Sequence, residues 1–208
     1  MAAARSSAAR SPARQLLARL LRRRLVLFAL VVLVVVVVAA LFAPWLAPYA
    51  PGRMDIAHRL AAPAARHWLG SDEFGRDTLS RVLFGAQQSL LVGALVVVLA
   101  TVLGTVLGLL AGYVRRLDAP LMRLTDALMA FPDILLAIAL MAGLGASMFN
   151  VVLALGIVYT PRVARIVRGA VLVLRELAFV EAAEALGAGD LRIMLVHLLP
   201  NLLSALIV

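Results

Sequence analysis

What most constrains this chain is a set of long stretches that carry no charge. Leu25 to Gly52 contains no Asp, Glu, Lys or Arg, and Leu25–Phe42 is unbroken apolar sequence, mostly Val and Leu. Eighteen residues at 1.5 Å each make about 27 Å, close to a bilayer core of roughly 30 Å. A cleaved signal peptide fits less well, because its apolar region is usually ~7–15 residues and no clean small-x-small site precedes Pro44. The stretch reads as a retained first span. A second charge-free run, Val82 to Val114, has 33 residues. Gln87, Gln88 and Ser89 mark its wet end, which places the span nearer Leu90–Tyr113. A third run, Ile134 to Pro161, has 28 residues with Gly143-Leu144-Gly145 in the middle. It yields two spans only if the first begins upstream near Leu121 and the second runs on past Arg162. A fifth apolar stretch begins at Ile193 and reaches Val208, with about half of what a crossing needs after Leu198. The expected fold is all-α, a polytopic transmembrane helical bundle with four full spans plus a partial fifth. Its expected parts are a basic, disordered cytoplasmic tail over 1–24, a first helix plus external segment over 25–85, and a membrane core over 86–208.

Composition narrows the chemistry. Of 208 residues, 64% are apolar and 15% charged, against ~45–50% and ~25% in soluble domains. The chain has no cysteine, which excludes disulfides, thiolate metal sites and cysteine nucleophiles. All 20 basic residues are arginine, so there is no phosphate-loop lysine and no Schiff-base lysine. The net charge of +9 is explained by where the arginines fall. Alternate segments between the spans hold fifteen and five of them. The positive-inside rule then puts the N-terminus in the cytoplasm. No basic face interleaved with aromatics is present to bind nucleic acid.

Several residues stand out against this plan. In the 43–85 segment Asp77 can cap a helix over Thr78–Phe84, which reads as lying on the outer interface before the second span. Asp72, Glu73 and Asp77 suit turn and cap duty better than acid–base work. His58 and His67 are nine residues apart, unlike an i, i+4 metal pair. Ala100, Gly104, Gly108 and Gly112 recur every four residues, a small-residue ridge that lets another helix approach closely in lipid. Asp133, after Pro132, is a carboxylate in a membrane helix, so it lines a pathway, pairs with an arginine (Arg162 and Arg165 are at hand) or sits at the water boundary. Asp126, seven residues earlier, belongs at the cytoplasmic interface.

The loop Arg175–Ile193 is the most informative segment. Glu176–Leu186 predicts a short helix of strong formers. Ala178, Ala182 and Ala185 form a small stripe beside a greasier one of Phe179, Ala183 and Leu186, while Glu181 and Glu184 stay polar. Gly187 can take the left-handed C-cap. Asp190 can cap a second helix, which Pro200 bends. A short amphipathic helix between two membrane helices is shaped to lie in a partner's groove.

Glu181-Ala182-Ala183, three residues, Gly187, nine residues and His197-Leu-Leu-Pro200 together resemble the EAA loop of ABC importer permeases. His197–Asn201 resembles the ending typical of the dipeptide/oligopeptide/nickel branch. His67-Trp-Leu-Gly-Ser-Asp-Glu-Phe-Gly-Arg-Asp77, Ser80-Arg81…Gly85…Ser89–Gly93, Ala130–Asp133 and Ala164–Gly169 resemble that branch too. The likeness runs from about Phe42 to the C-terminus. It implies the type I ABC importer (MetI-like) permease class. It also implies a peptide or nickel importer subunit in the cytoplasmic membrane of a bacterium or archaeon, with no enzymatic activity or bound cofactor of its own. The implied partners are a homologous second permease subunit, two cytosolic ATPases that use ATP and Mg, and an extracytoplasmic solute-binding protein, all in membrane lipid. Phe179, Glu181, Ala182, Ala183, Leu186, Gly187 and Pro200 would then belong to the ATPase-coupling loop, about 174–197. Family members usually have six spans, so the resemblance also implies a C-terminal truncation.

Overall fold

The structure, a computed structural model, describes residues 23–202. The expected tail over 1–24 and the end of the fifth apolar stretch, 203–208, lie almost wholly outside the described residues. The chain divides into two compact units, with the division between Leu90 and Leu91.

In the first unit, α1 (Arg24–Leu41) has no polar face at all. Phe28, Leu33 and Val35 are exposed along with most of its other side chains. A helix apolar on every side has no stable place in water and suits a membrane span. A single turn, α2 (Ala43–Leu46), follows with Pro44 in its first turn, where a missing N–H costs nothing. Residues 47–77 contain one short turn of 3₁₀-helix, Ile56–His58, and are held largely by side-chain carboxylates. Asp72 accepts from the backbone N–H groups of Phe74 and Arg76, both at 2.9 Å, from Arg76 Nε at 2.7 Å and from the Arg81 guanidinium. Burial pushes its carboxyl up, but the two backbone donors and the Arg76 guanidinium outweigh that and bring it down to about 2. Gly75 sits at φ +72°, and a Cβ there would lie 1.8 Å from the Asp55 carbonyl oxygen.

Asp77 caps α3 (Thr78–Tyr113), accepting from the Ser80 N–H and hydroxyl, each at 2.8 Å. The separate interfacial helix expected over Thr78–Phe84 is instead the first two turns of α3, which runs unbroken for 36 residues. No proline or helix-ending glycine motif interrupts it, so nothing stops the helix between the cap and the apolar run.

The second unit packs the rest of α3 against α6 (Met148–Leu174). Between them in sequence are α4 (Arg115–Met129) and α5 (Asp133–Leu144), which meet at 93°. The expected span from about Leu121 is therefore two helices. Proline disfavours a helical residue before it, and Pro132 itself is extended, at ψ 129°. α5 has twelve residues, about 18 Å, which is short for a crossing. Among the described residues three helices, α1, α3 and α6, are long and apolar enough to cross a membrane, and the count reaches four only if the α4–α5 pair is one broken span. α6 does run well past Arg162, with Pro161 accommodated inside it. Beyond it lie α7 (Ala178–Ala185) and α8 (Asp190–Arg192), then a wide π-type turn over Ile193–Leu198. The wide turn precedes Pro200, whose ring would clash with the carbonyl four residues back in a regular α-helix. Among the described residues there is no strand.

Candidate functional site

The seam between α3 and α6 is set by glycines. A Cβ on Gly104 would fall 2.5 Å from Val163 Cβ, one on Gly108 2.5 Å from the Ala164 carbonyl oxygen, and one on Gly112 2.6 Å from Val171 Cβ. Ala100 is buried one turn earlier. From α6 the match is reciprocal at Gly156, where a Cβ would meet the Leu99 side chain at 2.4 Å. The backbones therefore approach more closely than any larger side chains would permit.

Three carboxylates on α4 and α5 meet three arginines on α6. Asp118 receives Arg168 through both Nε and Nη2, the latter at 2.7 Å. Asp126 receives Arg165 Nη2 at 2.6 Å, and Asp133 receives the Arg162 guanidinium. Asp133 is thus engaged in an ion pair, and Arg165 is committed to Asp126. Asp118 and Asp126 are eight residues apart on α4, about two helical turns, and the arginines are three apart on α6, so each of these sets occupies one side of its helix, while Asp133 opens α5. That periodicity was available in the sequence as a signal for the Asp118–Arg168 rung, which sequence reasoning missed.

The loop helix α7 is two residues shorter at its start and one at its end than expected, because Leu177 is extended and Leu186 leaves helical geometry. Its end is a Schellman cap: Gly187 at φ +81°, with Gly187 N donating to the Glu184 carbonyl at 2.9 Å and Ala188 N to the Ala183 carbonyl at 3.0 Å. Val180 and Ala183 are buried in a cluster with Leu109, Val167, Val171, Ile193, Met194, Leu198 and Leu202. Ala183, from the greasier stripe, is part of the anchor that fixes the helix to its own chain. Residues 180 and 183 point the same way because they are three apart. Glu181 and Ala182 lie on the far side and are exposed, as are Phe179 and Leu186 at the two ends of the helix, with Leu186 at 89%. Pro200 is exposed as well.

Asp190 does not cap α8, since Gly189 holds that position. Its carboxylate instead accepts from the Tyr113 hydroxyl at 3.0 Å, 77 residues away in sequence. Arg175 Nη1 donates to the Gly112 carbonyl at 3.0 Å and Nε to Glu176 at 3.0 Å. Neither Tyr113 nor Arg175 is marked by any sequence pattern. In the first unit, His67 is buried with its Nδ1 on Asp77 Oδ1 at 2.9 Å and the Tyr49 ring 5.2 Å away. This contact shows His67 bound into the segment that precedes α3.

Comparison with known proteins now adds to this geometry. Residues 104–208 match the family described as binding-protein-dependent transport system inner membrane component. Residues 11–63 match the N-terminal transmembrane domain of oligopeptide transport permease C. A Brucella suis protein named as a peptide transport system permease is 48% identical over 171 residues, 82% of this chain and 58% of that protein. An Escherichia coli K12 protein named as a D,D-dipeptide transport system permease is 43% identical over 169 residues, 81% of this chain and 57% of its own length. A glutathione transport system permease of Escherichia coli O6 is 44% identical over 173 residues, covering 82% and 57%. The matched part of the chain therefore accounts for 57–58% of the length of these relatives.

Proposed function

The chain belongs to the binding-protein-dependent transport system inner membrane components, and from that premise we propose that it is one membrane subunit of an ATP-driven importer for peptides or related small solutes. The observation that carries this reading is the two-sided loop helix. One side of α7 is sealed into the chain's own core by Val180 and Ala183. Glu181 and Ala182 on the far side, and Phe179 and Leu186 at its ends, are exposed. An exposed leucine and phenylalanine at the two ends of a short, firmly anchored helix are a shape for a groove in another protein.

In this reading the groove belongs to a cytosolic ATPase, and hydrolysis takes place there. The chain offers no lysine for a phosphate loop and acts as the pathway, with a second permease subunit completing it. Solute arrives on a separate binding protein. The ATPase and the loaded binding protein each favour one of two permease states, and their alternation moves the solute across. With α4–α5 counted as one crossing, the arginine distribution puts the N-terminus and α7 in the cytoplasm. The relatives named for peptide, D,D-dipeptide and glutathione transport support a peptide-like cargo. The binding protein sets the choice among these cargoes.

The absence of cysteine allows a direct test. Ala182→Cys or Leu186→Cys, each the sole thiol in the chain, should cross-link to a cysteine placed in the groove of the co-expressed ATPase. Val180→Cys, which is buried, should not. Equal labelling of the 182 and 186 thiols by an impermeant reagent added from the outside of intact cells would refute the assignment.

A further inference from the structure

We propose that Tyr113 and Arg175 are positioning residues that clamp the loop helix α7 onto the C-terminal end of α3, so that a push on α7 is delivered to the membrane helices. The proposal rests on the reading of α7 as the ATPase's handle.

The last carbonyls of a helix have no partner within it. In the final turn of α3 the Leu110 carbonyl is taken by Val114 N at 2.9 Å. The Gly112 carbonyl is taken by Arg175 Nη1 at 3.0 Å. A cation at a helix C-terminus is well placed electrostatically. The neighbouring residue, Tyr113, donates its hydroxyl to Asp190 at 3.0 Å. Arg175 precedes α7 and Asp190 follows it, so the two ends of the loop are tied to adjacent residues of one helix end. Between the two ties, Val180 and Ala183 are buried with Leu109, and Leu110 and Tyr113 pack on the same cluster. The end of α3 is in turn seated on α6, where Gly112 leaves no room for a Cβ beside Val171.

The linkers on either side of α7 explain why a clamp is needed. Gly187 and Gly189 follow it, and residues 175–177 lack regular structure. Glycine-bearing connections take up displacement by backbone rotation. Tied at both flanks, α7 cannot slide without carrying the Gly112–Tyr113 turn, and hence the α3–α6 seam, with it.

The test uses the complete permease–ATPase complex in lipid nanodiscs, with hydrogen exchange read over residues 178–188 and solute moved per ATP hydrolysed measured in liposomes. Tyr113→Phe keeps the ring and removes only the hydroxyl. It should speed exchange in 178–188 by roughly three- to tenfold, as expected for loss of one hydrogen bond. Asp190→Ala should do the same, the double variant should add nothing, and Asp190→Asn, which keeps an acceptor, should stay near the unaltered rate. Transport per ATP should fall about threefold or more in Tyr113→Phe and in Arg175→Met while the ATPase remains bound. Unchanged exchange in Tyr113→Phe, or additive effects in the double variant, would overturn the clamp. Faster exchange with an unchanged transport-to-ATP ratio would overturn its role in transmission. If the unaltered chain retains no ATPase at all, the importer reading fails. Exchange on the chain alone then still decides the clamp.

Discussion

Gly108→Ala is the sharpest test of the α3–α6 seam. One added methyl carbon would sit 2.5 Å from the Ala164 carbonyl oxygen, 2.7 Å from Val167 Cβ and 2.9 Å from Val167 Cγ1. Favourable carbon contacts lie at about 3.5–4.0 Å. The nearest atom is backbone and cannot rotate away, and Val167 is β-branched, with little rotamer freedom in a helix. Relief therefore requires the two helices to part by something like 1 Å, which loosens contacts from Gly104 to Gly112 as well. Overpacking of this kind costs about 1–3 kcal/mol. Gly93 and Gly169 have nothing within 4 Å of an added Cβ, so alanine there changes only helix propensity, a gain of up to ~1 kcal/mol. That gain is common to both sites, so the gap between Gly108→Ala and Gly93→Ala should be about 1–3 kcal/mol, or roughly 2–12 °C in midpoint for a chain of this size. Thermal unfolding of each variant in the same detergent, followed by size exclusion, measures it. If Gly108→Ala melts with or above Gly93→Ala, the close approach of the helices is wrong.

Three further outcomes are expected. Gly187→Val forces a β-branched residue into φ +81°, at a cost of about 1–2 kcal/mol; it should fray the end of α7 and weaken ATPase retention, and normal pull-down with normal ATP hydrolysis would remove α7 from the mechanism. Arg162→Gln leaves Asp133 without its partner and should lower stability by about 2 kcal/mol, with Asp133→Asn/Arg162→Gln recovering most of the loss; a double variant as unstable as the single would show that the pair is not the reason. The third concerns pH. The Asp72 carboxyl is lowered from 3.8 to about 2 in the folded chain, so its contribution is fully present above about pH 4 and is lost as pH falls toward 2. Fluorescence of Trp45 and Trp68, the two tryptophans of the chain, should change across that window, and in Asp72→Asn the acid-form signal should already be present at neutral pH. A transition centred above pH 4 would assign it to another group.

Much of this architecture was legible because the membrane simplifies the code. Charge-free length marks α1, α3 and α6, since hydrocarbon tolerates few other patterns. Glycines four apart mark the seam, because only small residues let helices touch in lipid. The Gly187 cap follows from one residue type after a run of helix formers. Where the sequence misled, a local competition had to be judged without its tertiary partners. Pro132 marks the bend, but the 93° between α4 and α5 is a tertiary property that the residue alone does not encode. Asp190 looked like a cap and is instead claimed by Tyr113, a bond across 77 residues that no periodicity encodes. At Ala183 a helical wheel gives the faces of α7 without saying which one meets the core.

That last ambiguity bears on how such a loop works. A helix offered to a motor must be exposed on one side and immobile on the other, and an alanine-rich helix of eight residues has too little intrinsic stability to hold itself rigid. Rigidity has to come from outside the helix. Here it comes from Val180 and Ala183 beneath, the Schellman cap at one end and the tie of Arg175 to Gly112 at the other. Small residues on α7 then have two separate jobs. Ala183 lets the helix lie close to its own membrane core, and Ala182, one position away on the far side, lets a partner lie close to it. A bulky substitution at either position should disturb coupling, but by opposite routes: Ala183→Leu should raise hydrogen exchange within the chain alone, and Ala182→Leu should leave that exchange unchanged and weaken only the hold of the ATPase.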